Sequence, residues 1–388
     1  MKILFLSHYF PPEVNAPAKR TFEHAKIFAE DGHDVTVITN FPNHPHGKFF
    51  EGYKNKLNKT ELIDGIKIIR VLTYATPNKN FFKKIINFSF FMFFSIINGI
   101  KLKNTDVILA TSPQLLCGLS GMLLSKIKKT FFIFEIRDIW PESILAVNVV
   151  DKNSYFFLFL KLIEKKIIKS AHLIVAVTLG IKKYAEEMKH PNVKLITNGA
   201  HISKFSPVSS INKKKFTFAY VGTIGLAHNL NIIIRAASHF KENNNVKFLI
   251  VGDGAKKENI FNKAKKMKNI QTMSILFQNE FDEIFKEIDV GIVTLANKPL
   301  WKDALPSKIF DFYLRSKPII LSIPFGSTSR MIQKNKCGLV SDPSSTNDLI
   351  KNINNYIKNP KLIEDHGYNG RRLLTKKFDR EILGKKLL

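Results

Sequence analysis

The chain has 388 residues, 45% of them hydrophobic, and carries 60 Lys+Arg against 32 Asp+Glu for a formal net charge of +28. That length exceeds one ordinary core and predicts two domains, and the apolar share supports a globular protein. The charge predicts attraction to a polyanion or an anionic surface, while two distant cysteines, Cys117 and Cys337, exclude a disulfide framework and fit a reducing compartment.

Ile3–Ser7 reads as a strand, too short for a signal core and followed directly by a polar loop. The loop Ser7–Arg20 contains no glycine, whereas a dinucleotide enzyme would need G-x-G-x-x-G there. A nicotinamide or flavin oxidoreductase is therefore not expected. Glu13, Asn15 and Arg20 are expected to form a polar lip near ligand, because loops after such strands carry function. Pro17–Glu30 reads as an amphipathic helix ended near Asp31-Gly32, and Asp34–Thr39 as the next strand of a β-α-β unit. His44 and His46 are the one close histidine pair, in a Pro/Gly-rich loop where a metal is not expected.

Ile66–Val71 is a further strand, and a Phe-rich run from Ile85 to Ile100 follows. Lys83, Lys84, Lys101 and Lys103 flank that run, and Asn87, Ser95 and Asn98 interrupt it. It falls short of the ~20 apolar residues that span a bilayer. It suits a buried helix or an interfacial one, and the aromatic and lysine flanks favour an anionic membrane surface.

Strands follow at Val107–Ala110, Phe131–Ile136 and Leu173–Val177, with a helix at Phe156–Lys169. Arg137-Asp-Ile-Trp-Pro-Glu142 closes the Phe131–Ile136 strand. Trp140 can stack on a sugar face while Asp138 and Glu142 bind hydroxyls; the alternative is a salt-bridged loop with the indole in the core.

The pattern restarts beyond a Ser/Pro/Lys-rich join near 203–215. Strand Phe216–Val221 leads into Gly222-Thr-Ile-Gly225, a close backbone approach that serves a phosphate or tight packing equally well. A helix over Leu230–Phe240 and a strand at Val246–Val251 precede Gly252-Asp-Gly254, where Asp253 faces ligand or bonds its own turn. Strands Val290–Leu295 and Pro318–Ile323 bracket Asp303-Ala-Leu-Pro-Ser-Lys-Ile-Phe-Asp311. A loop opening a helix between parallel strands is an anion site. Ser307 is the expected N-cap, and Lys308 sits in a first turn that disfavours cations, which points to an anionic ligand. Two acids beside it suit hydroxyls, so a nucleotide sugar fits. The last segment, Leu362–Leu388, reads as helical and basic.

Taken in order, His8-Tyr-Phe-Pro-Pro-Glu13, Gly32-His-Asp-Val-Thr-Val37, Asp138-Ile-Trp-Pro-Glu142, Thr197-Asn-Gly199, Tyr220–Ala227, Val251-Gly-Asp-Gly254, Pro306-Ser-Lys308, Cys337-Gly-Leu-Val340 and Gly370–Glu381 resemble a retaining GT-B glycosyltransferase of family 4. Within it they look like the WbuB-like, L-fucosamine-transferase-like subgroup. The resemblance covers nearly the whole chain. It implies an α/β fold of two Rossmann-like, doubly wound domains facing a central cleft. An N-terminal acceptor-side domain would cover 1–203, with a C-terminal helix of about 370–388 packing back on it, and a nucleotide-sugar domain would cover 204–369. Asp303 and Asp311 fall on the family's E-x7-E positions, both shortened by a methylene. By that analogy Asp303 approaches sugar hydroxyls, Asp311 the nucleotide ribose, and backbone N–H groups at 305–308, with Pro306 and Ser307, cradle the diphosphate. Gly222, Thr223, Gly225, Gly252 and Asp253 would complete the donor side, and Asp138 joins the two acids and Lys308 as a catalytic candidate.

The chain departs from that family in two places. Many members place an arginine and a lysine after the first C-domain strand, where this chain has Thr223, His228 and Asn229. A cation must still offset the leaving diphosphate, and Lys308 is the candidate. Asn15-Ala16 stands where many relatives have glycines. The expected activity is transfer of an N-acetylated amino or deoxyamino sugar from a UDP-sugar to a lipid-diphosphate-linked glycan, in bacterial O-antigen or capsule assembly. No metal and no cofactor beyond the co-substrate are expected, and the enzyme would lie on the cytoplasmic face of the inner membrane. A nucleotide-sugar 2-epimerase is the rival enzyme. A nucleic-acid-binding protein has only the charge in its favour, without basic clusters interleaved with aromatics.

Overall fold

The computed structural model describes residues 1–77, 81–146, 150–202, 215–274 and 278–388. They form two compact units, residues 1–197 with 383–388 and residues 198–382. The join expected at 203–215 falls almost wholly outside the described residues.

The first unit is built on one sheet of β1 (Lys2–Leu6), β2 (Asp34–Asn40), β3 (Asn58–Ile63), β4 (Ile66–Val71), β5 (Val107–Thr111), β6 (Phe131–Ile136), β7 (Leu173–Ala176) and β8 (Val193–Leu195). Their order is β3-β4-β2-β1-β5-β6-β7-β8, so the connection reverses between β1 and β5. Every pairing is parallel except the β3–β4 hairpin. Sequence periodicity missed β3 because its residues, Asn58-Lys-Thr-Glu-Leu-Ile63, are largely exposed, as an edge strand's are. Asp64 and Gly65, both at positive φ, make the two-residue turn into β4.

Alternation in β1 divides the core. Leu4 and Leu6 join Phe91, Leu124, Phe132 and Ile167 on one face of the sheet, while Ile3 and Phe5 join Phe28, Val35, Leu383 and Leu387 on the other. Both faces are thus covered, which is why the central strands read as continuous apolar runs.

The Phe-rich segment is a single helix, Phe81–Lys101, long and apolar enough to cross a membrane by length and composition alone. One side is buried against the unit: Phe88 and Phe91 pack inward, Ser95 reaches Ser120 Oγ at 3.1 Å, and Asn98 accepts from Asn58 at 3.1 Å. Phe82, Phe93 and Ile100 remain exposed on the other side. The helix is thus buried on one face and exposes apolar side chains on the other.

The second unit holds a six-stranded, wholly parallel sheet of β9 (Phe216–Val221), β10 (Val246–Val251), β11 (Ile270–Met273), β12 (Val290–Thr294), β13 (Ile319–Ser322) and β14 (Gly338–Ser341). Its order, β11-β10-β9-β12-β13-β14, places the reversal between β9 and β12. In such sheets the ligand crevice opens at the carboxyl ends of the two strands flanking the reversal. The basic C-terminal stretch is two helices, Lys361–Lys377 and Arg380–Lys385, broken at Phe378-Asp379.

Candidate active site at the carboxyl ends of the second sheet

Where β9 ends, three features of the sequence meet. Tyr220 is the last residue but one of β9 and is fully buried. Its hydroxyl donates to the Thr223 carbonyl, which curls the loop after the strand back on itself. Lys308, the first residue of helix Lys308–Leu314, brings its Nζ 2.6 Å from the same hydroxyl and 3.8 Å from the ring centroid. The ammonium donates to the phenol oxygen and lies against the ring, an arrangement that holds a cation without neutralising it.

Glycines make room for it. Gly222 has φ +132°, and a Cβ there would stand 3.2 Å from Lys308 Nζ. Gly252, at φ +155°, lies so close to this loop that a Cβ would overlap the Gly222 carbonyl oxygen at 1.9 Å. Burial draws the Lys308 ammonium down to about 7, against the attraction of Asp311 one turn along the helix. His228 packs edge-on to Tyr220 with ring centroids 6.1 Å apart, and burial and then Lys308 push its pKa well down, so it stays neutral. Its Nδ1 has no partner among the described residues. A pocket of about 260 Å³ opens beside this group, lined by Gly225, His228, Asn229, Lys256 and Ala296 among others.

The remaining sequence-expected donor residues divide. Asp303 accepts from Ser327 N at 2.7 Å, so one of its oxygens is engaged at the start of helix Ser327–Lys334. Asp253 accepts from Gly254 N at 2.6 Å and pairs with Lys257 at 3.2 Å, which is the self-bonded turn. Ser307 stands at the N-cap position in α-helical geometry and makes no side-chain cap bond, contrary to expectation. Pro306 and Ser307 instead receive Ile309 N and Phe310 N on their carbonyls, at 3.1 and 3.0 Å.

In the first unit the expected lip is largely structural. Arg20 is fully buried, pairs with Glu135 at 2.7 Å, and donates to the Thr197 and Ile196 carbonyls at 2.6 and 2.8 Å. Glu13 is buried too, and its Oε1 accepts from Asn43 N at 3.0 Å and His44 N at 2.8 Å, bracing the loop that carries the histidine pair. Burial raises Glu13 to about 7, although those N–H groups and Arg70 oppose it. Asn15 is the N-cap of helix Ala16–Glu30, accepting from Ala18 N at 2.9 Å. Its Nδ2 is buried without a partner among the described residues.

The Arg137–Glu142 loop is mixed. Trp140 packs on the core and meets Phe88 edge-on at 6.3 Å, and Glu142 pairs with Lys161, so both follow the salt-bridged, core-packed alternative. Asp138 is exposed and borders a small crevice with Ser112 and Trp140. Surrounding protein desolvates its carboxyl and raises its pKa against Arg137, a shift that solvent contact limits. Among the described residues no group of three or more His, Cys, Asp or Glu is arranged to hold a metal.

Two site residues escaped sequence reasoning, Tyr220 and Lys256. The alternation Phe216, Phe218, Tyr220 buries the tyrosine on one sheet face, and a buried tyrosine needs a partner for its hydroxyl. That was the available signal.

Residues 201–373 match the family of glycosyl transferases group 1. The chain is 23% identical over 330 residues, 80% of each protein, to the "Putative colanic acid biosynthesis glycosyl transferase WcaI" of Escherichia coli (strain K12). The sucrose-phosphate synthase of Thermosynechococcus elongatus superposes with a TM-score of 0.80 at 14% identity, covering 100% of this chain and 97% of that one. Anabaena HepE in complex with UDP-glucose gives 0.69 at 14% identity, covering 100% and 98%. The paired Rossmann-like units and that likeness define the fold class, the two-domain GT-B fold. Its second unit carries the group 1 glycosyl transferase match.

Proposed function

We propose that this protein is a retaining family 4 glycosyltransferase, L-fucosamine-transferase-like, with Lys308 as the counter-cation of the departing diphosphate. It moves an amino or deoxyamino sugar from a UDP-sugar to a lipid-diphosphate-linked glycan during bacterial O-antigen or capsule assembly. The observation that carries this reading is Lys308 held by the Tyr220 phenol beside the pocket at the end of β9. The HepE structure is a complex with UDP-glucose, and WcaI carries the name of a putative colanic acid biosynthesis glycosyl transferase, which supports a UDP-sugar donor and a polysaccharide-synthesis role.

In the reaction the anomeric carbon–oxygen bond to the diphosphate breaks and UDP leaves with the electron pair. The acceptor hydroxyl forms the new bond on the same face and passes its proton to the oxygen of the departing diphosphate. Negative charge grows on the diphosphate as it departs, and a desolvated ammonium aimed at that point stabilises it without metal. In this reading Asp311, one turn beyond Lys308, takes the nucleotide ribose, as the family resemblance implies, and Lys256 adds a second cation at the pocket edge. Asp138 serves the acceptor side, and Asp303 acts through the loop it ties to Ser327. The exposed face of helix Phe81–Lys101 rests on the cytoplasmic surface of the inner membrane.

The test is a screen of UDP-sugars for UDP release with a lipid-diphosphate acceptor, followed by NMR of the product anomer. Acceptor-dependent release with retained configuration is expected. Conversion of a UDP-sugar to its 2-epimer without acceptor would replace this reading with the epimerase.

A further inference from the structure

We propose that helix Tyr155–Ser170 is a second docking surface for an anionic lipid bilayer. This deepens the membrane contact given above to helix Phe81–Lys101. The inward face of the helix is set by Phe157, Leu160, Glu164, Ile167 and Ile168. Its outward face starts with apolar side chains: Tyr155 is 92% exposed, Leu158 50%, Phe159 59% and Leu162 61%. Their spacing of three, four and seven residues puts them on one stripe. The same stripe continues with Lys165, Lys166 and Lys169, all exposed.

The distribution of charge names the occupant. Glu164 is the one acid of this helix, and it is buried, accepting from Lys161 Nζ and Tyr184 Oη at 2.8 Å each. The outward face therefore carries four large apolar groups and three lysines, without a carboxylate. Apolar groups at one end and lysines at the other match a bilayer interface, with acyl chains beneath the aromatic end and anionic headgroups around the ammoniums. A second copy of the chain fits poorly, since each copy carries a net charge of +28. Helices Phe81–Lys101 and Tyr155–Ser170 both pack on helix Leu115–Lys128, whose last turn adds Lys126 and Lys128.

Flotation of the full chain with vesicles of phosphatidylglycerol and phosphatidylethanolamine, against pure phosphatidylcholine, tests the proposal. Wild type should float with the anionic vesicles and remain behind with the neutral ones. Leu158→Ser/Phe159→Ser/Leu162→Ser should weaken binding at least tenfold, and Lys165→Gln/Lys166→Gln/Lys169→Gln should remove most of its salt sensitivity. Circular dichroism confirms that each variant is folded. Binding of both variants at the wild-type level overturns the proposal. If Phe82→Ser/Phe93→Ser abolishes binding while the serine and glutamine variants of Tyr155–Ser170 bind like wild type, this helix is not a docking surface while the membrane reading stands. If wild type is dimeric by sedimentation and the serine variant is monomeric, the stripe belongs to a second copy instead. UDP release toward a water-soluble acceptor, unchanged in these variants, reads the catalytic proposal separately.

Discussion

The loop after β1 and the segment Asp303–Asp311 look alike in sequence, each offering acids and a cation beside a strand's carboxyl end. The structure uses them in opposite ways. Arg20 is saturated by a buried carboxylate and two backbone carbonyls, and Glu13 by two backbone N–H groups. Lys308 instead contacts a phenol oxygen and a ring face, both neutral, with Asp311 attracting it from one turn along the helix. A charge whose partners cancel it is part of the scaffold. A charge that is desolvated and held, yet not cancelled, is ready for a ligand of opposite sign.

Arg20→Ala sharpens this contrast most. It leaves Glu135 buried without its main partner, which costs about 3–5 kcal/mol. Burial alone would push Glu135 up, but Arg20, Arg137 and His24 hold it at about 2. Its folded pKa lies below the ordinary value of 4.5, so its stabilisation is present above that pH and disappears as pH falls toward 2. Urea unfolding at pH 7 and at pH 3 should show the variant's deficit shrinking in acid. A fully stable Arg20→Ala protein with lost turnover would move Arg20 back to the ligand.

Lys308→Ala should do the reverse, retaining the fold while turnover falls about 10²–10³-fold, the usual cost of losing one donor to developing charge. Near-normal rates would remove Lys308 from the mechanism. The pH dependence follows from the lowered amine. Without ligand Lys308 loses its proton near pH 7, so UDP must restore that proton to gain the ion pair. UDP affinity should weaken above pH 7 by up to about tenfold per pH unit, and calorimetry in two buffers should show proton uptake. The unfolded chain binds more protons between about 7 and the ordinary 10.5, so stability of the ligand-free protein rises with pH across that window. Both slopes vanish in Lys308→Ala.

Much of the architecture was legible because both sheets are mainly parallel and doubly covered. Ile66–Val71, Phe131–Ile136, Phe216–Val221 and Val246–Val251 form strands over the residues that their apolar runs mark. Edge strands such as β3 were not legible, since exposure removes the hydrophobic signal that burial writes into sequence. The same limit applies to the site. Lys308 was visible because a lysine opening a helix runs against local preference. Asp303 and Asp253 each accept from a backbone N–H, and in sequence an acid that serves a nearby N–H has the same letter as one that serves a sugar. Tyr220 left almost no trace, since its function depends on a partner 88 positions away.

That tyrosine gives the finest test. Tyr220→Phe keeps the ring, its burial and the cation–ring contact, and removes the oxygen that accepts from Lys308 and donates to Thr223. Loss of one such bond is worth about 1 kcal/mol, or roughly fivefold in turnover. The oxygen favours the ammonium over the neutral amine, so its removal lowers the Lys308 pKa further. The pH at which UDP affinity begins to weaken should therefore move down, while a packing defect alone would leave it unchanged. A wild-type pH midpoint in Tyr220→Phe would mean that Lys308 does not depend on the phenol, and that the glycine-lined backbone after β9 and β10 suffices to place it.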